Sequence, residues 1–358
     1  MSALKTNRRR RLSRALDEMP GLFDNVDIDM NIAEEAADKP KTAVQEAKAA
    51  SPAATPSDNN QDILIGKTAL ERPQKLVFIS FGSGSSGNCA YIGAPGGRGV
   101  LIDAGVDAKT VESALKANGL DAKKIAGIIL THDHSDHVRY AYTILRGNKH
   151  MHLYCTPRTL SGILRRSSLS RRIKEYHKPI YKEFAFEVAG LKITPFETSH
   201  DGTDNIGFDI DTGMRHFVVL TDTGYVTERA EHYLRFANYL MLESNYDREM
   251  LHNGTYPPYL QARIEGERGH LDNRQAAAAV AAIAGPHPEA HLSHIFLCHL
   301  SHDNNTPKIA TDTISQTLVD AGRNVIAAAH AVMPAPDTSD IMLAALPRFE
   351  CSPMYVMR

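Results

Sequence analysis

The segment Thr131-His132-Asp133-His134-Ser135-Asp136-His137 constrains this chain more than any other. It follows directly on the apolar run Ile128-Ile129-Leu130. A buried strand that stops at such a cluster delivers several ligand side chains to one point. His132 and His134 alternate around Asp133, so both can face one ion. Asp136 and His137 follow a tight bend and can reach a second. Imidazole nitrogen and carboxylate oxygen are donors that zinc, manganese and iron accept, with no thiolate needed. A single histidine is most often a surface residue or a satisfied core residue. Three histidines and two aspartates in seven residues beyond a strand are not explained that way.

Other apolar runs stop in the same manner. A strand through Leu191, Ile193 and Phe196 leads to His200. Phe217-Val218-Val219-Leu220 leads to Asp222, Tyr239-Leu240-Met241-Leu242 to Glu243, and Ile295-Phe296-Leu297-Cys298 to His299. Strand ends that converge on one rim are what a site shared between two sheets requires. Leu76–Phe81, Cys89–Ile92 and Gly99–Ile102 read as earlier strands, and helices are predicted over Val111–Asn118, Tyr259–Glu267, Arg274–Ala284 and Thr306–Ala321. The fold class is mixed α/β (α+β).

The pattern His-x-His-x-Asp-His resembles the metal motif of the metallo-β-lactamase superfamily. Read together, Ser83–Asn88, Thr131–His137, Glu243–Asp247, Gly269–Asn273 and His299–Asn305 resemble its bacterial YycJ/WalJ subfamily. Each motif is short, but all of them in chain order are specific. The resemblance implies a four-layer αββα fold over residues 75–358. It implies one metal on His132, His134 and His200, a second on Asp136, His137 and His299, and Asp222 bridging them. Two divalent ions, zinc or manganese with iron also admissible, lower the pKa of a water and stabilise charge on a phosphoryl oxygen. Asp136 would orient that water and accept its proton. Glu243 and His270 resemble the pair in tRNA-3′-processing nucleases in which a glutamate orients a proton-donating histidine. The implied activity is 5′-to-3′ exonuclease action on double-stranded DNA in repair. The same fold also serves RNA-processing nucleases and small-ester or thioester hydrolases of the glyoxalase II type. A metal-stabilised binding module without catalysis is disfavoured by the complete ligand set.

Substrate contacts have weaker signals. Ser85, Ser86 and Asn88 in the Ser/Gly loop can cradle a phosphate or simply form a turn under the metals. Ser301, Asn304 and Asn305 are uncharged donors, or the cap of the helix at Pro307. Arg165, Arg166, Arg171 and Arg172 gather near Tyr176 and can grip a phosphate backbone or form a solvated face. The net charge is −2, so DNA recognition has to come from such local clusters. The four cysteines have no metal-site or disulfide spacing, no run is long enough to span a bilayer, and no secretory signal is present, so a cytoplasmic protein is expected. Residues 1–74 read as a linker tail, disordered around Asn31–Gln61. Arg8–Arg11 with Leu12, Ala15, Leu16 and Met19 can form a short basic helix for a protein partner or remain a solvated tail.

Overall fold

Residues 75–94, 97–165, 169–285, 292–327 and 340–357 are described by a computed structural model. The N-terminal tail, with the Arg8–Met19 segment read as a candidate short basic helix, lies outside the described residues. The apolar runs form two sheets. One contains β1 (Leu76–Gly82), β2 (Cys89–Gly93), β3 (Gly99–Ile102), β4 (Ile125–Ile129), β5 (His152–Cys155) and β6 (His177–Pro179). The other contains β7 (Phe186–Val188), β8 (Leu191–Glu197), β9 (Ile206–Asp211), β10 (His216–Leu220), β11 (Tyr239–Glu243), β12 (His294–Cys298), β13 (Asn324–Ala327) and β14 (Asp340–Ala345). β15 (Tyr355–Met357) returns to the first sheet beside β1. The strand orders are β15-β1-β2-β3-β4-β5-β6 and β13-β14-β12-β11-β10-β9-β8-β7.

Central strands are apolar on both faces because both faces are covered. In β1, Phe78 points between the sheets, with ring centroids 5.1 Å from Phe217 and 4.8 Å from Phe296. Its neighbours Val77 and Ile79 pack outward on α1 (Ala108–Ala117), α3 (Ala141–Gly147) and α4 (Pro157–Arg165) through Val111, Leu115, Ile144 and Ile163. The short α2 (Ser135–Val138) lies inside the metal-ligand motif. On the second sheet, Val218, Leu220, Leu240 and Leu242 form the outward-facing row. They pack with α5 (Glu228–Leu234), α8 (Asn273–Ala284) and α9 (Pro307–Asp320). The layers are therefore helix, sheet, sheet, helix. Among the described residues, no helix is long and apolar enough to cross a membrane.

Helix starts differ from the periodicity where side chains cap them. α1 begins at Ala108 rather than Val111, because the Asp107 carboxylate accepts from the amides of Lys109 and Thr110. α8 begins at Asn273 because Asp272 and Gln275 form a capping box. Two further helices, α6 (Arg248–Asn253) and α7 (Pro258–Glu265), bridge β11 and α8. β13, β14 and β15 were not legible in sequence. β15 is only three residues long, and its pairing of Leu76 with Met357 joins opposite ends of the folded chain.

Candidate metal centre

Strand topology brings the polar strand ends together. β10, β11 and β12 are adjacent and parallel, with Leu220 opposite Leu242 and Glu243 opposite Cys298. Asp222, Glu243 and His299 therefore stand in a row at one end of the second sheet. β3 and β4 are likewise parallel in the first sheet, with Ile102 opposite Ile129. They bring Asp103 beside Thr131 and the histidine cluster. Asp103, Asp222 and His299 have φ angles of 59°, 51° and 53°. Non-glycine residues are seldom left-handed, and such strain gathers at functional sites.

The nine residues anticipated as ligands or proton-transfer groups come together. His132, His134 and His200 form one donor set, and Asp136, His137 and His299 another, the ligand atoms of each set lying within 4.8 Å of one another. Asp222 groups with His132 and His137 and also with Glu243, His270 and His299, so it borders both sets. All are buried except His270, whose side chain retains 20 % exposure. The buried Nε2 atoms of His132 and His299 have no hydrogen-bond partner. His200 Nε2 faces His134 Nδ1 at 3.2 Å. Unpaired buried nitrogens are costly, and a cation among them removes that cost, so these residues fit a divalent metal.

Supporting groups orient the rings. His137 Nδ1 donates to Asp103 Oδ2 at 2.7 Å, and Thr131 donates to the same carboxylate through its amide at 2.9 Å and its hydroxyl. His200 Nδ1 donates to the Gly269 carbonyl at 2.9 Å. Both arrangements turn Nε2 toward the centre, as ligand histidines require, although His137 Nε2 also lies 3.0 Å from the Asn88 amide nitrogen. Glu243 is fully buried and satisfied on both oxygens. Oε1 accepts from His270 Nδ1 at 2.7 Å and His299 Nδ1 at 3.0 Å, and Oε2 from the amides of Thr223 and Leu271. Asp133, between the two histidines, accepts from the Thr203 amide at 2.9 Å and from its hydroxyl. A Cβ at Gly162 would collide with that carboxylate, and one at Gly105 with the Asp136 carbonyl.

Electrostatics divide the centre. Burial lowers His132 and, with the charge of His270, takes His200 down to about 4. These rings stay neutral, the form that binds metal. Burial would also lower His299, but Asp222, Asp136 and Glu243 push it up to about 10. Burial works against ionisation of Asp136 and Asp222, yet the surrounding imidazoles hold both well below the usual carboxylate range.

A β-lactamase superfamily domain model matches residues 98–295. The chain belongs to the metallo-β-lactamase superfamily. It is a metal-dependent hydrolase of that family. It is 32% identical over 256 residues to Exodeoxyribonuclease YycJ of Bacillus anthracis, covering 70% of this chain and 92% of that protein. It is 30% identical over 258 residues to Exodeoxyribonuclease WalJ of Streptococcus pneumoniae, covering 72% and 93%. The metallo-β-lactamase fold protein YhfI from Bacillus subtilis superposes with a TM-score of 0.54 at 13% identity, covering 78% of this chain and 99% of that one, which shows the fold.

The superfamily centre opens into a cleft of about 330 Å³. Ser85, Ser86 and Ser301 line it, as do His134, Asp136, His200, Asp222, His270 and His299. Asn88, Asn304 and Asn305 do not. Asn88 is buried and donates to Asp136 Oδ2 at 3.1 Å, so it braces a candidate ligand. Asn305 donates to the carbonyls of Ser244 and Asn245 and to Asn273 Oδ1, and Asn304 is 1% exposed, so both belong to the loop framework. Arg165 reaches Thr203 from α4, and Arg172 pairs with Glu175 in a 3-10 turn over Arg171–Tyr176. Arg165, Arg171 and Arg172 do not line the cleft, and Arg166 lies outside the described residues. The cleft's arginines are instead Arg263 and Arg348, which sequence reading missed because neither lies within a ligand motif or a basic run. Arg263 pairs with Asp201 Oδ2 at 2.7 Å, and Asp201 Oδ1 lies 3.1 Å from His134 Nε2.

Proposed function

We propose that this hydrolase is a two-metal phosphodiesterase that removes nucleotides from the 5′ end of double-stranded DNA, with a role in DNA repair. His132, His134 and His200 would hold one ion, Asp136, His137 and His299 the other, and Asp222 would serve both. Zinc and manganese suit these donors, and iron is compatible with them. When bound, the ions supply an activated water and stabilise charge on a phosphoryl oxygen.

One observation carries the reading. His270 is the one partly exposed member of an otherwise buried constellation, and Glu243 holds its Nδ1 at 2.7 Å. That bond places the Nδ1 proton on the carboxylate side and leaves Nε2 to give a proton to a departing alkoxide. Phosphodiester scission expels a poor leaving group and needs this acid, whereas a thiolate leaves without one. Asp136 borders the cleft and would orient the attacking water and receive its proton. The kinship with proteins named exodeoxyribonucleases supports DNA as substrate.

The test uses metal-loaded protein and 5′-phosphorylated duplex DNA labelled at either end, with matched RNA, single strands and a His134→Ala control. Stepwise loss from the 5′ end, absent in the control, is expected. Cleavage of RNA alone, or turnover of thioesters without any DNA cleavage, would overturn the reading.

A further inference from the structure

One aromatic ring at the cleft has no part in the chemistry above. Phe349 lies between β14 and β15 and is 67% exposed. It borders the same cleft as His134, Asp136, Asp222 and His270. The Arg348 guanidinium lies over the ring, 5.3 Å from its centroid, and the His302 ring meets it edge-on at 6.2 Å. The loop that presents the ring is braced. Arg348 donates to the Leu300 carbonyl at 2.7 Å and accepts, through its own carbonyl, from the Ser83 amide at 3.3 Å. Ser352 donates through its amide to the Ser80 carbonyl at 2.8 Å, and its hydroxyl accepts from the Ser80 amide at 2.9 Å.

This ring is not part of an apolar patch. The cleft also carries Tyr256, Leu260 and Ile264, but Ser85, Ser86, Ser301, His302, Asp303 and Arg348 interrupt its lining, so the site is mixed rather than a lipid-like apolar face. A single phenyl face, backed by a cation on a fixed loop, suits one flat aromatic ligand. The ring and the candidate metal ligands border one cleft, so a substrate held at the metals can extend to the ring.

We propose that Phe349 is a stacking platform for the nucleobase adjoining the scissile phosphate, with Arg348 and His302 fixing the ring. The proposal rests on the nucleic-acid reading above and assigns that reading a residue that positions substrate. Stacking accepts any base, because every base presents a π face, so the platform tolerates mixed sequence rather than selecting a motif.

The experiment compares the wild type with Phe349→Ala and Phe349→Trp on two 5′-phosphorylated duplexes. One carries an ordinary base at the 5′-terminal residue and the other a tetrahydrofuran abasic residue. Phe349→Ala is expected to lose about 10-fold or more in kcat/KM on the ordinary duplex, Phe349→Trp to restore it, and the three proteins to converge on the abasic duplex. In a parallel measurement with chelator present, a terminal 2-aminopurine is expected to be quenched on binding the wild type and not on binding Phe349→Ala. Equal rates of wild type and Phe349→Ala on the ordinary duplex, or equal losses on both duplexes, would overturn the platform while leaving the exonuclease reading standing. Absence of DNA cleavage by the wild type would overturn that reading and the platform with it.

Discussion

Asp103 shows how one residue outside the ligand pattern governs the centre. Its carboxylate takes the His137 Nδ1 proton at 2.7 Å while held by Thr131. Asp103→Asn keeps the size and removes the charge that orients the ring. Metal affinity is expected to fall about 10–100-fold, as for other outer partners of ligand histidines. Titration of chelator-stripped protein with zinc or manganese measures it, and wild-type affinity would rule out this role. Glu243 touches two imidazoles, so its loss and that of His270 should differ. His270→Ala is expected to lower kcat about 10²–10⁴-fold with metal content unchanged, because only the leaving-group acid is gone. Glu243→Gln should lower kcat and also weaken metal binding, because His299 Nδ1 loses its charged acceptor and the amide has only one oxygen for the two imidazoles and two backbone amides. Full metal retention in Glu243→Gln would mean that the contact to His299 is incidental.

The element that differs most from its neighbours is α7. It contributes no buried residue, whereas α8 buries Ala276, Ala277, Val280 and Ile283 on the second sheet. Leu260, Arg263 and Ile264 of α7 line the cleft, and Arg263 ties the helix to Asp201 beside His134. A helix with so little apolar burial opens locally at low free energy. Amide hydrogen exchange is expected to be fast across α7 and slow across α8. Equal protection would contradict this ordering. The Arg263–Asp201 pair is part-exposed, so its removal should affect metal and substrate binding more than global stability.

For the whole molecule, stripping metal should lower stability and reveal a definite pH profile. In the metal-free protein the His200 pKa is about 4, below its unfolded value, so the unfolded chain binds the extra proton between the two and stability rises with pH there. Asp136 and Asp222, held low, act in the same direction at more acidic pH. The His299 pKa is about 10, above its unfolded value, so the folded chain keeps a proton the unfolded one has lost and stability falls as pH rises toward that value. The chelated protein should therefore be most stable near about pH 6.5. Metal adds stability as the logarithm of its free concentration over Kd, and this increment should grow with pH because binding expels protons from the ring nitrogens. Thermal unfolding with and without chelator across pH checks both. Rising stability of the chelated protein above neutral pH would contradict the assignment of His299.

Local chemistry made the ligand cluster legible. Residues 131–137 lie within one bend, and short-range geometry alone converges their side chains. The apolar runs before His200, Asp222, Glu243 and His299 were legible too, because strands covered on both faces read as unbroken hydrophobic segments. Where Asp103, Asp201, Arg263, Arg348 and Phe349 stand was decided only by tertiary structure. Asp103 reaches His137 because β3 and β4 are parallel neighbours, and Arg348 and Phe349 reach the cleft because β14 and β15 belong to opposite sheets. The same packing excluded Asn305 from the cleft, since the carbonyls of Ser244 and Asn245 and the Asn273 side chain take its amide donors, and it buried Asn304 beside it. A residue's type states what it can bind, but the register and order of strands far apart in the chain decide which groups it meets.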